Sequence, residues 1–229
     1  MAPPRVIQNL RDGFAALTSP AGAAAVVRSH PAPMQFALLM FASAAALYAV
    51  YGFSMGLFNS TTAGLISALK LPVLYAGTLL ICFPILYLLN HRQGPGLSVA
   101  RCAAVLGLSM AANAIALASY APVSYFFILT SSDDAYAFLV AMHVAVFAAA
   151  GVVSLTVVAA IMRASAEAAR RPLRWRFLIA WALAYGFVGS QMSWALRPWI
   201  GAPGVEYAVL RAREGSFLQA VSGVWNEQK

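Results

Sequence analysis

Residues 135 to 162 read AYAFLVAMHVAVFAAAGVVSLTVVAAIM and contain no Asp, Glu, Lys or Arg. A run of this length is typical of a helix that crosses the hydrocarbon core of a membrane, which takes about 20 apolar residues. Hydrocarbon offers no partner to backbone N–H and C=O groups, so a spanning segment must be a helix or part of a closed barrel. Because the run does not alternate between apolar and polar residues, it predicts a helix.

The whole chain has the same apolar character. Of its 229 residues, 62% are apolar and only 10% are charged. That is too little charge to cover the surface of a soluble domain of this size. The sequence therefore predicts an all-α fold, an integral membrane bundle of about five transmembrane helices within residues 34–196. The predicted spans are 34–58, 71–89, 102–121, 135–162 and 177–196.

Both ends of the chain are predicted to lie on the membrane surface. In residues 1–33, apolar side chains recur at helical spacing from Ile7 to Leu17, which is typical of an amphipathic helix in the interface. Ser19, followed by a proline, indicates the start of a second short helix. Residues 197–229 also carry apolar side chains at helical spacing, so a second interfacial amphipathic helix is predicted there.

Positive charge dominates, with 15 Lys and Arg against 7 Asp and Glu. When the predicted spans are followed along the chain, ten of the 15 fall on the side of the amino terminus. By the positive-inside rule, the amino terminus is cytoplasmic and the carboxyl terminus is outside. Basic residues beside apolar spans argue against nucleic-acid binding. The arginine-rich segment from Arg163 to Arg176 instead predicts contact with anionic lipids of the bilayer.

Residue types that carry catalysis or bind metals are sparse and scattered. The 3 histidines and 2 cysteines do not have the spacing of metal ligands. The motifs G-x-S-x-G and H-E-x-x-H and the phosphate-binding loop do not occur in the sequence. The adjacent acids Asp133 and Asp134 are explained as a solvated turn. The sequence therefore predicts no catalytic residue, no cofactor and no metal, and a protein that is not an enzyme.

Three of the polar residues inside the predicted spans are weighed as functional candidates, namely Asn113, His143 and Gln191. At about 1.5 Å per residue, all three lie between the middle and the outer third of the membrane. Polar side chains in a membrane are costly, so these residues are candidates for a proton or solute path. Hydrogen bonds between helices explain them without transport. We favour that interpretation because no acid accompanies them at this depth.

Small residues recur at every fourth position around the first turn and in the last span. The candidates are Gly52, Gly56, Asn59, Ser60 and Gly64 around the turn, and Gly186, Ser190 and Arg197 in the last span. This spacing lets helix backbones approach closely, either inside the bundle or in an oligomer. The segment 59–70 is predicted to form a short helix that lies in the interface or dips into the membrane. Arg197 is expected to reach the interface, with a lipid headgroup or a partner carboxylate as the alternative.

Several irregular motifs resemble a family of uncharacterised bacterial polytopic inner-membrane proteins. They are Tyr51-Gly52, Met55-Gly56, Phe58-Asn59-Ser60, Lys70-Leu71-Pro72, Ile81-Cys82-Phe83-Pro84, and the run Gly189-Ser190-Gln191-Met192-Ser193-Trp194-Ala195-Leu196-Arg197-Pro198 with Gly201. The resemblance implies a five-helix bundle in a bacterial cytoplasmic membrane. It also implies that the FNS turn, the KLP motif and the QxxWxLRP motif form one shared feature on the outer side. It implies no catalytic or ligand role.

Two function classes follow from these features. The first is a non-enzymatic scaffold or accessory subunit of a membrane complex, which docks other membrane proteins or a second copy of itself. The alternative is an oligomeric channel or small-solute transporter, with segment 59–70 near the pore. A channel predicts a water-filled path lined by Asn59, Thr62 and Asn113 or His143, whereas a scaffold predicts a dry core and a lipid-depleted contact surface.

Overall fold

The computed structural model describes residues 5–130, 135–170, 173, 175–201 and 209–210. These residues form helices joined by short turns, and no strand occurs among them. The helices are α1 (Arg5–Leu17), α2 (Pro20–Ser29), α3 (Pro33–Gly56), α4 (Thr61–Gln93), α5 (Val99–Ser119), α6 (Ala121–Thr130), α7 (Tyr136–Ala168) and α8 (Trp175–Ala195). Most of the predicted carboxyl-terminal segment, and the pair Asp133 and Asp134, lie outside the described residues.

Four helical segments of the described chain are long and apolar enough to cross a membrane. They are Pro33–Gly56, Thr61–Arg92, Val99–Thr130 and Tyr136–Ala168. Their outward faces carry large apolar side chains, such as Leu69 and Leu80, which are 73% and 76% exposed. A helical polytopic membrane protein is therefore supported. α8 occupies the place of the predicted fifth span, and its crossing of the membrane remains a proposal.

The amino-terminal segment forms two helices that pack on one end of the bundle. The Ser19 side chain accepts a backbone hydrogen bond in the first turn of α2, as expected of a helix cap. Ala24 and Val27 of α2 are fully buried, and α2 packs against α1 and α7. His30 Nε2 lies 3.1 Å from Asn9 Oδ1, which joins the end of α2 to α1. The predicted helices are present, and their place at the membrane surface stays a proposal.

Segment 59–70 is not a separate element, contrary to the prediction. Ser60 Oγ accepts a hydrogen bond from the backbone N–H of Ala63 at 3.1 Å. This caps α4, which then continues from Thr61 to Gln93 as one helix. The polar residues after α3 therefore mark the start of a long helix, and Asn59 lies in the tight turn before it. A re-entrant or interfacial helix ending at residue 70 is ruled out by this continuity.

The hairpin of α3 and α4 packs backbone against backbone. A Cβ atom added at Gly52 would lie 2.5 Å from the carbonyl oxygen of Ser67, and one at Gly56 would lie 2.5 Å from that of Ala63. A Cβ atom added at Gly64, on α4, would lie 3.1 Å from the carbonyl oxygen of Phe53, a tight but less severe contact. The predicted stripe of small residues is therefore the contact between two antiparallel helices. Internal packing accounts for it, and an oligomer interface is not needed.

Candidate functional site

Helices α7 and α8 pack on different neighbours. α8 packs along α4, where the indole N–H of Trp181 donates to the carbonyl oxygen of Cys82 at 3.2 Å. α7 packs along α5, where the hydroxyl oxygens of Ser109 and Ser154 lie 2.6 Å apart. Within the described ranges, α7 and α8 hardly touch each other. The space between them, with α4 and α5 as its floor, is called here the α7–α8 cleft.

The α7–α8 cleft has a volume of about 810 Å³. Gly151 of α7 and Gly186 of α8 both line it. A Cβ atom added at either glycine would have no described heavy atom within 4 Å. Gly52 and Gly56 differ from these two glycines, because their lack of a side chain lets α3 and α4 approach each other closely. The backbone at Gly151 and Gly186 is open to an occupant that this chain's described residues do not supply.

The predicted small-residue face of α8 borders this cleft. Gly186, Ser190 and Arg197 all line it, as do Ala182 and Ser193. The rest of the lining is mostly apolar, and includes Leu74, Leu79, Leu106, Met110, Val140, Val144, Phe147, Ala148, Leu155 and Trp181. The sequence left two interpretations of this face open, internal packing and an oligomer interface. The structure adds a third interpretation. The face belongs to an unfilled cleft within one chain.

The buried polar residues pair with tyrosines of α3 and not with each other. The Tyr48 hydroxyl donates to Asn113 Oδ1 at 3.0 Å, and its ring stacks on Tyr75 with ring centroids 4.1 Å apart. The Tyr51 hydroxyl lies 2.7 Å from His143 Nδ1. Asn113 and His143 are each only 3% exposed. Both residues therefore hold helices together, in agreement with the favoured interpretation.

Gln191 does not join this arrangement. Its Nε2 atom is buried and has no hydrogen-bond partner among the described residues. A hydrogen bond from Gln191 to Asn113 or His143, which their similar depth predicted, is not formed in the described part of the chain. Equal depth in the membrane does not bring side chains together unless their helices face one another.

Sequence reasoning did not find the tyrosines that pair with the buried polar residues. Tyr48 and Tyr51 are three residues apart and so lie on one face of α3. Each places a hydroxyl in the bundle interior, where it must find a partner. Two tyrosines at this spacing inside an apolar run are the available signal, whereas the sequence prediction uses Tyr51 only as part of a family motif and does not use Tyr48.

Arg197 lies at the rim of the α7–α8 cleft. Its guanidinium carbon is 3.6 Å from the centroid of the Trp194 ring. The chain then folds back, and the indole N–H of Trp199 donates to the carbonyl oxygen of Ser193 at 2.9 Å. The rim therefore combines one cation with two indole rings. Indoles are the residues that most often lie at the boundary between hydrocarbon and headgroups.

The KLP and QxxWxLRP motifs meet beside this rim. Lys70 Nζ donates to the carbonyl oxygen of Pro198 at 2.8 Å. The Ser67 hydroxyl donates to the carbonyl oxygen of Trp199, also at 2.8 Å. The two motifs that the resemblance placed together are thus in direct contact, with α4 holding the chain that leaves α8. Their location on the outer side of the membrane remains a proposal.

Comparisons with protein-family models, curated proteins and solved structures found no match to this chain. The resemblance to bacterial inner-membrane proteins therefore stays an expectation that rests on the quoted motifs. Among the described residues, no group of three His, Cys, Asp or Glu side chains is arranged to hold a metal ion.

Proposed function

We propose that this protein is a non-enzymatic scaffold or accessory subunit of a membrane complex that works by binding an apolar membrane component in the α7–α8 cleft. The observation that carries the proposal is the open backbone at Gly151 and Gly186. Helices in lipid associate through close packing of small residues. The chain places a glycine on each wall of the cleft, and its described part leaves the backbone of Gly151 and Gly186 without a packing partner.

The channel alternative finds less support in the geometry. A water path through the bundle would use Asn113 or His143, but both are bonded to tyrosines on α3. The interior around them is aromatic and apolar, with Tyr48, Tyr51 and neighbouring leucines fully buried. Asn59 lies in the turn that precedes α4 and does not line the cleft. Asn113 and His143 do line the α7–α8 cleft, but their hydrogen bonds to Tyr48 and Tyr51 occupy polar atoms that a water path would need.

The proposed orientation in the membrane rests on the distribution of Lys and Arg along the chain. We place the protein in a cytoplasmic membrane, bacterial if the resemblance holds, with five spans, a cytoplasmic amino terminus and an outer carboxyl terminus. The segment Arg163 to Arg176 then faces the cytoplasmic leaflet, where anionic lipids attract basic residues. Arg163 is also bonded to Glu167 across an exposed helical turn, with a nitrogen–oxygen distance of 2.9 Å.

Photocrosslinking from inside the cleft tests the proposed function. A diazirine amino acid at Ala182 lines the cleft, whereas one at Leu183 lies on the outer face of the same helix, where the native residue is 70% exposed. The protein is extracted from its native membrane into mild detergent and then irradiated. We expect a discrete adduct, lipid or polypeptide, from position 182. We expect only detergent adducts from position 183, because detergent replaces loosely held lipid there.

The same experiment can reject the proposal. If positions 182 and 183 give the same detergent adducts, nothing occupies the cleft, and a binding role for it is wrong.

A further inference from the structure

We propose that the occupant of the α7–α8 cleft is a membrane lipid with an anionic headgroup, its tails beside Gly186 and its phosphate against Arg197. This inference rests on the proposed function, since it names the component that the cleft binds. Four features of the cleft carry it: its volume, its lining, its depth and the charge at its rim.

The volume of the cleft is that of a small-molecule site. The cleft encloses about 810 Å³, which lies within the range of about 300–1,000 Å³ that is usual for small-molecule pockets. In a membrane, the small apolar molecule that surrounds the protein is lipid.

The lining is suited to an apolar chain. Several polar groups in the cleft lining already have partners: Ser109 and Ser154 bond each other, Asn113 Oδ1 accepts from Tyr48, and Thr78 donates to the carbonyl oxygen of Leu74. A ligand that brought many polar groups to this depth would find few partners for them, which is costly in hydrocarbon. A saturated tail has no such requirement.

The depth of the cleft fits the tails of one leaflet. α8 ends at Ala195, nine residues or about 14 Å along the helix from Gly186, and Arg197 lies two residues beyond that end. The tails of one leaflet reach about half of the hydrocarbon thickness, or roughly 15 Å. A lipid whose phosphate lies at Arg197 therefore brings its tail ends to the open backbone of Gly186.

The charge at the rim selects the headgroup. Among the described residues, no carboxylate forms an ion pair with Arg197, and its guanidinium is held against Trp194. A guanidinium presents its N–H donors as a planar fork that matches phosphate oxygens. No Asp or Glu is found in the described lining of the cleft. A phospholipid with net negative charge complements this rim better than a zwitterionic one.

Lipid analysis of the purified protein and of matched variants tests the inference. Gly151→Leu with Gly186→Leu fills the cleft, and the open space at both positions lets the protein fold with leucine there. Ala180→Leu is the control, because Ala180 is an exposed small residue of α8 outside the cleft lining. Arg197→Gln removes the rim charge. Each protein is purified in mild detergent, its melting temperature is recorded, and native mass spectrometry counts the phospholipids that it retains.

We expect the wild-type protein and Ala180→Leu to retain one phospholipid, with anionic headgroups enriched at least fivefold over their share of the membrane. The filled variant should lose at least four fifths of this occupancy at an unchanged melting temperature. Arg197→Gln should keep a lipid but lose the enrichment. Competition between phosphatidylglycerol and phosphatidylcholine in reconstituted vesicles should reproduce the preference.

Three outcomes would overturn the lipid assignment. Equal lipid retention in the filled variant would place the lipid elsewhere. A polypeptide adduct in the cleft, from another protein or from residues 202–229 of this chain, would show that a lipid is not the occupant. A separate protein there would leave the proposed function standing. An empty cleft in the wild-type protein would reject both proposals together.

Discussion

Replacing Gly56 with alanine is expected to destabilise the α3–α4 hairpin strongly. The added Cβ atom would lie 2.5 Å from the carbonyl oxygen of Ala63 and 2.7 Å from the Cα atom of Gly64. Those atoms belong to backbone, so the two helices must separate. Overpacking of this kind costs about 1–3 kcal/mol, which exceeds the gain of about 1 kcal/mol in helix propensity from glycine to alanine. The free energy of unfolding or the melting temperature in detergent should therefore fall.

Gly186→Ala is the matched control for this prediction. It makes the same chemical change in another long helix, but the added Cβ atom meets no described heavy atom within 4 Å. Its melting temperature should equal or exceed that of the wild-type protein, because only the gain in helix propensity remains. If Gly56→Ala were as stable as Gly186→Ala, the close approach of α3 and α4 would be wrong.

The second large effect is expected where α3 meets α7. The substitution His143→Leu leaves the buried Tyr51 hydroxyl without the partner that lies 2.7 Å away in the structure. An unsatisfied buried hydroxyl costs about 1–3 kcal/mol, whereas replacing both partners by apolar groups can be nearly neutral. The double variant Tyr51→Phe with His143→Leu should therefore be more stable than His143→Leu alone.

A double-mutant cycle on detergent-solubilised protein measures this coupling, for which we expect about 0.5–3 kcal/mol. His143→Asn serves as the control, because an amide can still donate and accept, and it should remain close to wild type in stability. A pH-dependent flux that His143→Asn abolished, with stability unchanged, would instead support transport. Additive effects of the two single substitutions would show that Tyr51 and His143 do not interact.

Features set by a local run of residues were predictable from the sequence. The lengths of apolar runs predict the positions of α3, α5 and α8 within three residues, and the start of α7, which continues six residues beyond the predicted end. Ser19 correctly marked the start of α2, since a helix cap depends on the residues next to it. The same reasoning failed for segment 59–70, where the cap at Ser60 belongs to a long helix. The polar cap was recognised, but the apolar continuation beyond Lys70 was treated as a new element.

Features that depend on which helices meet could not be predicted. Four-residue spacing identified Gly52, Gly56 and Gly186 alike, yet the first two are packed against α4 and the third faces an open cleft. The spacing of residues along one helix does not show which helix packs against it. The partners of Asn113 and His143 were missed for the same reason, because they lie on α3, far away in the chain. The cleft arises from the separation of α7 and α8, which no local motif encodes.

We propose that α7 and α8 border a cleft that an apolar membrane component completes. A density map of the protein crystallised from a lipid mesophase containing its native lipids tests this most directly. We predict that α7 and α8 stay apart and that elongated density runs beside Gly186 toward Arg197. A map in which the side chains of α7 and α8 interlock, with no space between Gly151 and α8, would contradict the account.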